Sequence, residues 1–71
     1  MRKTMLTWDV LEHFEAEYNT KHYNEEQCRT IESAAFIANV NRNYNPEWTK
    51  TDIFTDFLRL LRLRKITVVH K

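Results

Sequence analysis

The chain contains no glycine. Glycine is the ordinary residue wherever a backbone needs positive φ, so a chain without it must put another residue, most readily Asn or Asp, at left-handed helix ends and tight turns, or do without them. Six asparagines, at Asn19, Asn24, Asn39, Asn41, Asn43 and Asn45, bracket the segments whose apolar periodicity is helical. They are the expected helix terminators. The same absence removes Gly-rich phosphate loops, whose backbones must approach phosphate without side chains in the way, so nucleotide chemistry through those motifs is excluded.

Seventy-one residues are enough for one domain, so residues 1–71 are read as a single small helical domain. A folded chain of this size hides only roughly 60% of the surface that its unfolded form exposes, which makes self-association an attractive extra source of stability. Cys28 is the only cysteine and forms no internal disulfide. The first residues, Met1 to Leu6, lack the apolar stretch of a signal peptide, and no apolar run is long enough to span a membrane. A soluble, cytoplasmic protein is expected.

Three helices are predicted, at about 8–19, 25–43 and 50–63, making the chain mainly α. In the first, Thr7 is the expected N-cap, Asp9 lies in the first turn, and Leu6 with Leu11 has hydrophobic-staple spacing. Val10, Leu11, Phe14 and Tyr18 share one arc of the helical wheel, with Glu12, Glu15 and Glu17 outside it. The second helix opens with the capping-box pair Asn24 and Gln27. Its wheel has two apolar stripes, a narrow one of Cys28, Ile31, Ala34, Ala35 and Ala38 and a bulky one of Phe36, Ile37, Val40 and Tyr44. Two apolar faces imply a central helix with neighbours on both sides. Pro46 forbids continuation, and Thr49 with Asp52 repeats the capping-box spacing at the third start.

On the third helix Ile53, Phe54, Phe57, Leu58, Leu60 and Leu61 form the apolar arc, with Asp52, Thr55, Asp56, Arg59 and Arg62 opposite. Leu63 falls among the polar positions, which ends the register. The following Lys65-Ile66-Thr67-Val68-Val69-His70 is rich in β-branched residues and reads as a short C-terminal β-strand over about 65–70. One strand cannot satisfy its backbone alone. Its partner is expected to be the same strand of a second copy, with Arg2 to Leu6 as the pairing available within the chain and the exposed sheet edge of another protein as a further alternative.

Charge is uneven. Residues 7–32 hold seven carboxylates against two cations, and residues 40–71 hold seven cations against three carboxylates, so an acidic front half faces a basic end. This arrangement would let the end of one copy meet the middle of another.

Catalytic groups are sparse. His13, His22, His70 and Cys28 form no close metal-ligand pairs. Cys28 lies on the small apolar stripe as a buried thiol, and Ser33, the only serine, has no nucleophile elbow. No catalytic residues, metal, cofactor or small-molecule substrate are expected, and the protein is read as no enzyme.

Two binding functions remain. The first is a protein-interaction module, a homodimeric inhibitor or adaptor that regulates another protein by binding its surface, of a type mobile genetic elements encode. Its expected contact residues are Trp48, Phe54, Phe57, Leu61, Ile66 and Val68, because aromatic and aliphatic side chains are numerous for three short helices. The alternative is a nucleic-acid-binding regulator using Arg59, Arg62, Arg64 and Lys65. Asp52 and Asp56, on the same helix face, argue against it by repelling phosphate.

Overall fold

In the computed structural model, which describes residues 9–71, the chain forms three helices in the order α1 (Val10–Glu17), α2 (Glu25–Tyr44) and α3 (Lys50–Leu63). Each start is set by a side chain that satisfies the first free amides. At α1 the cap is Asp9, whose carboxylate accepts from the amides of Leu11 (3.0 Å) and Glu12 (3.4 Å). It therefore holds the position expected of Thr7, which lies outside the described residues together with Leu6 and the expected staple. At α2 and α3 the expected capping boxes form, Asn24 with Gln27 and Thr49 with Asp52.

Helix α1 stops two residues earlier than its periodicity suggests, because Tyr18 is extended. Helix α2 ends at Asn45, whose amide turns back to the Arg42 carbonyl just ahead of Pro46. The short 45–49 turn reverses the chain, and α3 packs back along α2.

The core gathers one face from each helix. Val10, Phe14 and Tyr18 come from α1, Ile31, Ala34, Ala35 and Ala38 from α2, and Ile53, Phe57, Leu60 and Leu61 from α3, with Ile66 beyond it. The alanines let α3 approach α2 closely. Phe14 is the aromatic centre, stacked on Tyr18 at 5.0 Å and edge-on to Phe57 at 5.2 Å.

Four sequence expectations are corrected. First, Cys28 is exposed, not buried on the small stripe, because it lies in the first turn of α2, beyond the packed alanines. Second, α2 is packed on one side only: Phe36 and Tyr44 of the bulky stripe are 69% and 80% exposed. Third, Asp56 is 7% exposed where the wheel made it a solvent residue. It accepts from Asn41 Nδ2 (3.0 Å) on α2 and from Arg59 Nη2 (2.7 Å), so its buried charge is compensated across the helix pair.

The fourth concerns the tail. No strand forms among the described residues; the segment after α3 contributes a single antiparallel bridge, Tyr18 to His70. The Asn19 amide donates to the Val69 carbonyl (2.7 Å) and the Lys71 amide to the Glu17 carbonyl (3.1 Å), while the Tyr23 hydroxyl donates to the Thr67 carbonyl. The His70 ring lies 4.2 Å from that of Tyr18. The end of α1 offers only three residues, too few for a ladder, so the β-branched run is held as a strap. Its pairing is within the chain, where the sequence favoured a second copy. The other pairing considered, with Arg2 to Leu6, lies outside the described residues.

The strap leaves α3 through Lys65, the one described residue with positive φ (63°). Its amide donates to the Arg62 carbonyl (3.0 Å) and that of Ile66 to the Leu61 carbonyl (2.9 Å), the paired bonds of a Schellman termination. Ile66 and Leu61, both buried, supply the apolar contact that accompanies it. A lysine, not one of the six asparagines, therefore takes the left-handed position.

Candidate functional site

The residues expected to contact a partner divide by burial. Phe57, Leu61 and Ile66 are core, and Phe54 and Trp48 are half-buried against it; Val68 alone is exposed. A wheel identifies the apolar face of a helix and not what covers it, and here α1 and α2 cover α3. Phe57, Leu61 and Ile66 build the scaffold and leave little for a second protein to touch.

The two most exposed large hydrophobics among the described residues, Tyr44 and Phe36, lie elsewhere, on the outward face of α2. Phe36, Val40 and Tyr44 follow one another at four-residue intervals, each one turn further along that face. A shallow groove of about 510 Å³ runs beside Phe36, lined by Arg29, Glu32, Ser33 and Ile37. A second, deeper hollow of about 120 Å³ sits where α1 meets α2. Leu11, Phe14, Ile31 and the Tyr23 ring wall it with apolar surface, and Glu15 and Glu32 flank it. Glu32 lines both depressions, which share no other residue.

Cys28 also lines the hollow. Burial pushes the Tyr23 phenol above its ordinary value of 10.0, and the nearby Cys28 raises it further. Neutral Tyr23 therefore persists to alkaline pH with its hydroxyl on the strap.

Among the basic residues, Arg59, Arg62, Arg64 and Lys65 are all exposed at the end of α3. Arg59 is paired with Asp56, and Arg64 donates to the Leu60 carbonyl (3.4 Å). Arg62 and Lys65 make no ion pair among the described residues. Between them stands Leu63, 63% exposed, an aliphatic side chain among cations.

Histidines are dispersed: His13 pairs with Glu17 (3.4 Å), and among the described residues no three His, Cys, Asp or Glu side chains converge as metal ligands would. No helix among these residues is long and apolar enough to cross a membrane.

Sequence reasoning placed Phe36 and Tyr44 on a face that a neighbouring helix would fill, counted them among the surplus aromatics, and left them and Leu63 out of the expected contact residues. The available signal was the second stripe of α2 in a chain with too few helices to cover both faces. Comparison with protein-family models, curated proteins and solved structures gave no match.

Proposed function

We propose that the protein is a small, non-enzymatic interaction module, an inhibitor or adaptor that acts in the cytoplasm by occupying the surface of another protein. Its docking face is the outward stripe of α2. The observation that carries this reading is the exposure of Phe36 and Tyr44, two turns apart on a helix whose opposite face is fully used by the core. Phe36 shares its groove with Arg29, and large aromatics and arginines are the side chains that dominate binding energy at protein interfaces. Small hydrophobic residues facing α3 and bulky ones facing water is the pattern of a helix with two jobs, packing and recognition.

The test is capture from the native host with the wild-type chain and with a Phe36→Asp, Tyr44→Asp double variant. A protein retained by the first and lost from the second supports the reading. Identical captures, or none, overturn it; unchanged circular dichroism shows that the variant is folded.

Nucleic-acid binding through the basic end has weaker support, since Arg59 is already neutralised by Asp56. It requires salt-sensitive retention on duplex DNA that disappears in an Arg62→Glu, Lys65→Glu variant. A homodimer built on a shared C-terminal strand loses its basis, because the strap spends its carbonyls within the chain.

A further inference from the structure

We propose that the chain pairs with a second copy of itself by seating Leu63 of each copy in the hollow between α1 and α2 of the other. This deepens the interaction-module reading by naming one partner, and the hollow it uses shares only Glu32 with the groove beside Phe36 and contains neither Phe36 nor Tyr44.

Size comes first. Pockets for free small molecules run to about 300–1,000 Å³, whereas a cavity of about 150 Å³ takes one benzene-sized group. At about 120 Å³, with apolar walls, this hollow suits a single aliphatic side chain. Leu63 is such a side chain, exposed at the end of a rigid helix and uncovered by its own chain.

Charge selects the same match. The two charged residues that flank the hollow, Glu15 and Glu32, are exposed carboxylates without an ion pair among the described residues. The knob is bracketed by Arg62, Arg64 and Lys65, all exposed. Seating Leu63 brings these opposite charges together at the rim, where they steer the encounter and fix its orientation. The excess of carboxylate in residues 7–32 and of cation in residues 40–71 acts in the same sense.

Geometry permits reciprocity. Tyr23, which walls the hollow, is bonded to Thr67, four residues beyond Leu63, so knob and hollow lie at the same end of the molecule. Two copies meeting end to end about a two-fold axis each offer a knob to the other's hollow, and the contact closes as a dimer without propagating into a filament.

The test is light scattering across micromolar to millimolar concentration. The wild-type mass should rise from 8.7 kDa towards twice that value, and added salt should oppose the rise. Leu63→Asp, which spoils the knob, and Glu15→Lys with Glu32→Lys, which spoils the hollow, should each hold the chain at monomer mass with unchanged helicity. Mixing these two variants should restore a weaker dimer, since the second retains the knob that the first still has a hollow to receive. Leu63→Ala should weaken association by about a hundredfold or more, since it truncates both knobs of the reciprocal dimer at about tenfold or more each. A wild-type monomer at millimolar concentration overturns the proposal, and so does a dimer indifferent to Leu63→Asp or a mixture that stays monomeric. The Phe36→Asp, Tyr44→Asp variant should dimerise normally, so failure here and failure of the α2 reading are distinguishable.

Discussion

Lys65 holds a left-handed conformation at φ 63° in a chain with no glycine, and this makes Lys65→Gly a sensitive probe of how α3 ends. A residue with a Cβ in that conformation costs about 1–2 kcal/mol, because the Cβ crowds the following carbonyl. Glycine removes the crowding but gives the unfolded chain more freedom, which returns about 0.4–1 kcal/mol. The difference is a net stabilisation of about 1 kcal/mol, and for a domain of this length that raises Tm by about 4–8 °C. The Lys65 side chain is exposed and makes no ion pair among the described residues, so little else is lost. Thermal melts and urea titrations followed by far-UV circular dichroism read the effect as a higher Tm and a higher urea midpoint at constant m. Lys65→Val is the opposing control, since a β-branched residue tolerates positive φ worst and should lower the midpoint. If glycine fails to stabilise, or valine matches wild type, the left-handed termination is not how the chain leaves α3.

Two further perturbations address the interior and the strap. Asp56→Ala removes the acceptor that joins Asn41 of α2 to α3, strands the Asn41 amide in a half-buried site, and should cost about 1.5–3 kcal/mol by urea denaturation. Arg59→Ala, which trims the exposed member of the same network, should cost less. Raising the pH should release the strap through Tyr23: its folded-state value lies above the unfolded one, so its contribution is complete below about pH 10 and is lost as pH climbs through the raised value. Tyr23→Phe should remove that alkaline step in a stability-versus-pH profile and speed amide exchange at Asn19 and Lys71, whose amides bind the strap and the end of α1.

The helices were legible because their signals are local. Asn24 with Gln27 and Thr49 with Asp52 are each three residues apart, and their bonds form inside one turn whatever the rest of the chain does. Pro46 stops α2 by the same local logic. The apolar arcs of α1 and α3 follow from periodicity and turn inward, with Phe14, Phe57 and Leu61 wholly covered, although Phe57 and Leu61 were expected to meet a partner. At the candidate site the sequence was less informative. Phe36 and Phe57 are the same residue type on apolar arcs of neighbouring helices, yet one faces water and the other is buried. Local propensity also misled at the tail, which is held by backbone bonds to Glu17 and Asn19 and by the Tyr23 hydroxyl and forms no ladder among the described residues.

Taken alone, the residue order determined where α2 and α3 begin, that the chain turns at Pro46, and that acid and base are segregated along its length, since these depend on neighbours a few positions apart. Tertiary structure decided which of the two stripes of α2 is covered, that Asp56 goes inside, that a lysine takes the left-handed turn, and that Leu63 stands exposed at the same end as an acid-flanked hollow. Those outcomes depend on how many helices compete for each face and on contacts spanning the whole chain, quantities that no local window contains.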